Sequence, residues 1–231
     1  MKNYLPSITL AAFLGSLHLA GAADITGKVT LKGTPPPERT IEFEATCGKL
    51  HTKPVTTRHY VVGADKGLAN VFVYIKQGAP KTPAAGEGPL LDQVACFYEP
   101  YVMGVVTGQK FKIRNSDAVF HNVHATPKPG GNKEFNFAQV SKGQVNEKSF
   151  DAPEVLVRMK CDVHNWMFAY IGVVDHPYFA VTDKDGNFTI KNVPPGKYTV
   201  EAVHQKAAPT GKTAEVESGK SVNFEIEVPA Q

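Results

Sequence analysis

The sequence lacks the features that mark several large classes of protein. Its 231 residues carry a formal net charge of only +3, and lysine and arginine form no cluster, which argues against a nucleic-acid-binding surface. No segment longer than about a dozen residues shows a helical stripe of apolar side chains. The motif Cys-x-x-Cys-His is absent, which argues against covalent haem attachment. Beyond residue 22, no stretch is long and apolar enough to predict a membrane span.

The first residues predict a targeting segment. "MKNYLPSITLAAFLGSLHLAGAAD" has a charge at Lys2, an apolar run and a small-residue cleavage site that ends at Ala22. We interpret residues 1–22 as a signal peptide. A membrane anchor is the weaker alternative, because Ser16 and His18 interrupt a run that is already short for a span. The sequence therefore predicts a periplasmic or secreted protein.

The small number of cysteines becomes informative once export is predicted. There are three, Cys47, Cys96 and Cys161, and an odd number in an oxidising compartment leaves one unpaired. A free exposed thiol would be oxidised there, so the odd cysteine needs protection, and metal ligation protects a thiolate. Cys161 lies in the ligand-like stretch "KCDVHNWM", which predicts a disulfide between Cys47 and Cys96. The alternative is that Cys161 is a buried, inert cysteine.

Short apolar runs rich in Val, Ile, Phe and Tyr dominate the remaining sequence. Examples are "NVFVYIK", "KFKIRN", "EVLVRMK" and "KYTVEAV". Several alternate with a period of two, and turn signals such as "TGQK", "DKDGN" and "PPGK" separate them. This pattern predicts an all-β fold, most simply two small β-sandwiches.

The candidate chemistry lies in "KCDVHNWM" and in "NSDAVFHNVHA" upstream. The first stretch places a thiol, an imidazole and a thioether at Cys161-x-x-His164-x-x-Met167, between two predicted strands, and His121 in the second can supply a further imidazole. Two histidines and one cysteine with a weak axial methionine form the blue-copper site, whereas structural zinc sites rarely use a thioether. His124 lies three residues beyond His121, so on a strand it faces the opposite side.

These two motifs resemble those of the cupredoxins. "VVTGQKFKIRNSDAVFHNV" is similar to the segment that supplies the first histidine ligand, and "CDVHNWM" resembles the short ligand loop of the amicyanin type. The resemblance covers roughly residues 95–175 and implies a Greek-key β-sandwich in which Asn115 and Asn122 brace the ligand loops. It implies one type 1 copper ion with four ligands: His121, Cys161, His164 and Met167.

A second resemblance follows in the sequence. "FAVTDKDGNFTIKNVPPGKYTVEAVHQ", residues 179–205, is similar to the carboxypeptidase regulatory-like domain, a small transthyretin-like β-sandwich. "ADITGKVTLKGTPPPE" near the beginning resembles the first strand of that domain, but it is equally compatible with the first strand of the cupredoxin sheet. The expected organisation is a signal peptide (1–22), an N-terminal β extension of open assignment (23–94), a cupredoxin domain (95–175) and a carboxypeptidase regulatory-like domain (176–231).

The resemblances imply a protein that carries single electrons between redox partner proteins and is not an enzyme, because four protein ligands leave no open coordination position. His164 is expected on a surface-facing turn, as the usual electron exit. Trp166 is expected either at a docking surface or against the second domain. The alternative functions are copper carriage or storage, and a carbohydrate- or protein-binding module with a vestigial copper site. Carbohydrate is weakly supported, because the second domain shows no aromatic platform for stacking a sugar.

Overall fold

A computed structural model describes residues 21–230, so all but the last two residues of the predicted signal peptide lie outside the described range. The described chain is built almost entirely of β-strands, with one short helix, α1 (Ala45–Gly48), and one 3-10 turn (Ala64–Lys66). The predicted all-β fold is confirmed. Within residues 21–230, no helix is long and apolar enough to cross a membrane.

The first of two β-sandwiches contains strands from both ends of the described chain, and we call it the terminal sandwich. Its seven strands are β1 (Ala23–Lys32), β2 (Phe72–Gln77), β12 (Phe179–Val181), β13 (Asn187–Val193), β14 (Lys197–His204), β15 (Ala208–Glu217) and β16 (Phe224–Glu227). One sheet has the order β13-β1-β16, and the other has the order β12-β2-β14-β15. Apolar side chains from both sheets, such as Val29, Ile75 and Val200, fill the core between them.

The second sandwich lies between β2 and β12 in the sequence, and we call it the central sandwich. Its nine strands are β3 (Leu90–Val94), β4 (Phe97–Glu99), β5 (Val102–Val106), β6 (Phe111–Asn115), β7 (His121–Thr126), β8 (Phe135–Gln139), β9 (Val145–Lys148), β10 (Glu154–Lys160) and β11 (Phe168–Val174). The two sheets have the orders β5-β11-β10-β7-β8 and β4-β3-β6-β9. Strand β6 shows the expected alternation: Phe111 and Ile113 are buried, while Lys112 and Arg114 are half-buried.

The segment 23–94, whose assignment the sequence left open, contributes to both sandwiches. Strand β1 pairs antiparallel with β13 and parallel with β16, and β2 pairs with β12 and β14. Both strands therefore belong to the terminal sandwich. Strand β3 pairs with β4 and β6 and belongs to the central sandwich. The 39 residues between β1 and β2 cross to one end of the central sandwich and return.

The two sandwiches meet at an apolar interface in which two aromatic rings pack against two glycines. Gly104 of β5 and Gly172 of β11 are directly opposite each other in a parallel pair. A Cβ atom on Gly172 would lie 2.3 Å from the Phe72 ring, and one on Gly104 would lie 2.2 Å from the Phe179 ring. The ring centroids of Phe72 and Phe179 are 5.6 Å apart. The absence of side chains at the two glycines thus creates the space that the rings fill.

Gly172→Ala should therefore destabilise the protein by about 1–3 kcal/mol, because the added methyl group overpacks this interface. The double variant Gly172→Ala/Phe72→Leu should recover part of the loss, since leucine leaves room for the methyl group. A double-mutant cycle in urea would measure both effects. Strictly additive costs would contradict the packing described here.

Candidate metal centre

Three strands of one sheet bring the predicted ligands together at one end of the central sandwich. His121 begins β7, Cys161 follows the end of β10, and His164 and Met167 lie on the turn that leads into β11. Because β10 pairs antiparallel with both β7 and β11, the start of β7 and the turn before β11 lie beside the end of β10. Two backbone hydrogen bonds close the turn: Met167 N–H donates to His164 O at 2.9 Å, and Cys161 N–H donates to Met167 O at 3.0 Å.

The donor atoms of His121, Cys161 and His164 have the separations of ligands around one ion. His121 Nδ1 lies 3.1 Å from His164 Nδ1, and Cys161 Sγ lies 3.5 Å from the same nitrogen. With bonds of about 2.3 Å to sulfur and about 2.0 Å to nitrogen, two ligands of one metal lie roughly 3.1–3.6 Å apart. All three residues are buried, and the Met167 side chain lies in the same apolar core as Cys161. The donor set therefore fits a metal ion.

A carboxylate orients the His121 ring. Asp117 Oδ2 lies 3.0 Å from His121 Nε2, which leaves His121 Nδ1 directed at the other donors. The same carboxylate accepts hydrogen bonds from the backbone N–H groups of Ala95 at 2.7 Å and Cys96 at 2.8 Å. The Asn115 side chain in turn accepts the Asp117 backbone N–H at 2.9 Å. A carboxylate that holds the far nitrogen of a ligating histidine fixes both its tautomer and its orientation.

The Cys161 turn is braced by Asn122. The Asn122 side-chain oxygen accepts the Asp162 N–H at 2.6 Å and lies 3.3 Å from Cys161 Sγ, while its amide donates to the Asp162 carboxylate at 2.9 Å. His124 lies on the opposite face of β7, as predicted, where its ring contacts Asp162 and Glu134. Asn122 thus links the strand that supplies His121 to the turn that supplies Cys161 and His164.

The outer side of His164 is covered by residues 41–51, which we call the capping segment. Helix α1 brings Cys47 Sγ to 3.6 Å from His164 Nε2, and Glu44, which caps the start of that helix, has its Oε1 3.3 Å from the same nitrogen. His164 is only 3% exposed. The expectation that His164 faces the surface is therefore wrong, because the chain between β1 and β2 places α1 over it.

Aromatic contacts and a disulfide hold the capping segment in place. Cys47 and Cys96 are bonded to each other, which confirms the predicted pairing and leaves Cys161 as the free cysteine. Phe43 packs edge-on against Trp166, at 5.1 Å between ring centroids. The Trp166 indole N–H donates to Cys96 O at 3.1 Å, and its ring lies 5.3 Å from the His164 ring. Trp166 is thus half-buried between the ligand turn and the capping segment.

The donor environment favours the charged forms of Cys161 and His121 in the metal-free protein. Burial raises the pKa of the Cys161 thiol. Hydrogen bonds from His121, His164 and two backbone N–H groups outweigh this effect, and the pKa falls from its ordinary value of 9.0 to about 5. Burial lowers the pKa of His121, but its hydrogen bonds to Asp117 and Cys161 outweigh this effect and raise it. A thiolate is the form of cysteine that ligates metals, and a charged His121 releases a proton when its Nδ1 ligates a metal.

Two residues of this site were not predicted from the sequence, Asp117 and Glu44. Asp117 is four residues before His121 in "NSDAVFH", and a carboxylate so close to a candidate ligand was an available signal. Glu44 had no such signal, because more than a hundred residues separate it from His164 along the chain.

Comparisons with known proteins found one family description and several solved structures. The family description "Carboxypeptidase regulatory-like domain" matches residues 169–229, about a quarter of the chain, and no curated protein matches. A purple cupredoxin from Nitrosopumilus maritimus is 23% identical and covers 37% of this chain and 99% of its own, with a TM-score of 0.32. A reduced amicyanin variant is 22% identical, and the match covers 44% of this chain and 97% of the amicyanin chain, with a TM-score of 0.34. A copper-containing nitrite reductase from Thermus scotoductus is 18% identical. The match covers 43% of this chain and 25% of the reductase chain, with a TM-score of 0.35.

The metal-free protein should show thiolate absorbance in the ultraviolet that titrates with a midpoint near pH 5, because Cys161 is surrounded by hydrogen-bond donors. Since the folded pKa is lower than the unfolded one, this group stabilises the fold fully above the unfolded pKa. The contribution decreases as the pH falls and is lost below about pH 5. Urea unfolding across this range, with Cys161→Ser as the control, would measure it. A midpoint near 9 would contradict the described environment.

Proposed function

We propose that the protein is an exported type 1 copper protein that carries single electrons between redox partner proteins. In this proposal His121, Cys161, His164 and Met167 hold one copper ion, and residues 90–174 act as a cupredoxin domain inserted into a carboxypeptidase regulatory-like sandwich. The observation that carries the proposal is the group of three buried donors. His121 Nδ1 lies 3.1 Å and Cys161 Sγ lies 3.5 Å from His164 Nδ1. Bound copper would supply a one-electron couple between Cu(I) and Cu(II).

The chain contributes rigidity and exclusion of water. Asp117 fixes the His121 ring, and Asn122 fixes the turn after Cys161. The capping segment covers His164, and the disulfide attaches that segment to the turn before β4. Ligands that are already held in place need little movement when the charge of a bound ion changes, which suits electron transfer.

Burial of the donors favours electron transfer over the alternative of copper carriage. A carrier must release its ion, yet His121, Cys161 and His164 are each no more than 3% exposed. A fast, reversible couple in voltammetry would support electron transfer. Release of copper on each change of oxidation state would support carriage instead.

Export and a redox partner belong to the same proposal. A disulfide such as Cys47–Cys96 persists in oxidising compartments and is rare in the cytosol. Since the capping segment covers His164, a partner protein would contact that segment or the neighbouring turns rather than the His164 ring itself. The carboxypeptidase regulatory-like sandwich contributes the covering chain, and no carbohydrate role is needed to account for it.

Loading with Cu(II) should produce an intense visible band from thiolate-to-copper charge transfer. Cys161→Ser should abolish the band, because Cys47 and Cys96 are bonded to each other and offer no thiolate. Absorption spectra of the two proteins at equal copper content would test this. A colourless copper complex of the wild-type protein would refute the proposal.

Met167→Gln should keep copper bound and coloured but lower the reduction potential, because an oxygen donor favours Cu(II) over Cu(I). His121→Ala should be more harmful, since it removes a strong ligand and admits water. Voltammetry and copper analysis would compare the two variants. An unchanged potential and spectrum in Met167→Gln would show that Met167 is not a ligand.

A further inference from the structure

The His164 imidazole lies between two sets of donor atoms. Its Nδ1 faces Cys161 and His121, as described above. Its Nε2 faces the capping segment, with Cys47 Sγ at 3.6 Å and Glu44 Oε1 at 3.3 Å. On this outer side, one ligand atom from each of four side chains lies within 4.8 Å of the others: Glu44, Cys47, Cys96 and His164. We call these four residues the outer set, and we call the donors that meet at His164 Nδ1 the inner set.

The outer set has the spacing and chemistry of a metal site, except that its two sulfurs are bonded to each other. A separation of 3.6 Å between sulfur and imidazole nitrogen is close to that of two ligands on one ion, given bonds of about 2.3 and 2.0 Å. In the disulfide neither sulfur is a thiolate, so the set cannot bind a metal strongly. Reduction would convert two neutral sulfurs into two soft ligands beside an imidazole.

We propose that reduction of the Cys47–Cys96 disulfide creates a second metal site, in which the two thiolates and His164 Nε2 bind Cu(I). The site goes beyond the proposed electron-transfer function, because it uses the opposite nitrogen of His164 and two cysteines that take no part in the first donor set. Two thiolates and one imidazole are soft and borderline donors, the combination that suits Cu(I).

The chemical steps balance with a dithiol as the reductant. The dithiol breaks the Cys47–Cys96 bond by thiol–disulfide exchange, becomes a disulfide itself and leaves a thiol on each cysteine. Cu(I) then displaces the two thiol protons to water. A neutral imidazole offers one lone pair, because its other nitrogen carries the proton. When His164 Nε2 binds the outer ion, the proton therefore moves to Nδ1, and His164 serves one donor set at a time.

Hydrogen bonds independent of the disulfide hold both cysteines near His164. Cys96 N–H donates to the Asp117 carboxylate at 2.8 Å, and Cys96 O accepts the Trp166 indole N–H at 3.1 Å. Cys47 N–H donates to Glu44 Oε1 at 3.2 Å. On the other side of α1, the His51 ring is 3.0 Å from Ala95 O and stacks on Phe43. These contacts keep the thiols in position after the S–S bond is broken.

The test uses the full chain with Cys161→Ser, so that the only thiols left are Cys47 and Cys96. One sample keeps the disulfide, and the other is reduced with a phosphine that is removed without air. Each receives one equivalent of Cu(I) in competition with a coloured Cu(I) chelator. We expect the reduced form to bind Cu(I) roughly tenfold or more tightly than the disulfide form. X-ray absorption should show two short copper–sulfur bonds of about 2.3 Å in the reduced form alone.

Two control variants assign the ligands. Replacing both Cys47 and Cys96 by serine in the same background should abolish the response to the reductant. Adding His164→Ala should weaken Cu(I) binding by the reduced form roughly tenfold. Equal affinities of the reduced and disulfide forms would overturn the site, and an affinity unaffected by His164→Ala would overturn the role of that residue.

Wild-type protein provides the same test if a variant does not fold. Its reduced form should retain one more Cu(I) ion than its disulfide form, because Cys161, His121 and Met167 remain for the inner ion when His164 Nε2 binds the outer one. An equal number would again overturn the site. The outcome is separable from that of the proposed function. The visible band of Cu(II)-loaded wild-type protein depends on Cys161, whereas the gain in Cu(I) binding on reduction depends on Cys47 and Cys96.

Discussion

The Asp117 carboxylate is the contact on which both sides of the candidate centre depend. It accepts a hydrogen bond from the His121 ring on one side and hydrogen bonds from the backbone N–H groups of Ala95 and Cys96 on the other. Burial alone raises the pKa of Asp117, but these hydrogen bonds outweigh it, so the pKa is lowered and the carboxylate stays charged. A buried charge is stable only with such partners. The ligand strand and the turn that carries the disulfide are therefore fixed relative to each other.

The order of strands along the chain explains how the capping segment reaches the centre. Strands β2 and β12 pair with each other in the terminal sandwich, so the chain leaves and re-enters that sandwich at neighbouring positions. An entire sandwich can be inserted at such a point without disturbing the host sheet. The chain between β1 and β2 pairs with itself near Ile41 and Val55 and carries α1 in between. The terminal sandwich thus covers a site that the central sandwich builds.

The sequence was sufficient for the features that depend on local patterns. Period-two alternation predicted the all-β fold, and the odd number of cysteines predicted the Cys47–Cys96 disulfide. The spacing of Cys161, His164 and Met167 predicted a turn that the structure closes with two backbone hydrogen bonds. The features that were missed or left open depend on contacts between distant segments, such as α1 over His164, which was missed, and β1 beside β13, which was left open. Alternation alone does not specify which sheet a strand joins, because pairing also depends on burial against a strand that is distant in sequence.

The oxidation state of the disulfide also determines which donors His164 can serve. A thiolate pair at the position of Cys47 and Cys96 would compete with Cys161 and His121 for the same imidazole, since Cys47 Sγ is 3.6 Å from the outer nitrogen and Cys161 Sγ is 3.5 Å from the inner one. In the disulfide, the outer sulfurs carry no charge and bind metals weakly. The Glu44 carboxylate, 3.3 Å from His164 Nε2, then favours the proton on that nitrogen, which leaves the Nδ1 lone pair for an inner metal ion. The disulfide therefore fastens the capping segment and, by the same bond, directs His164 to the inner donor set.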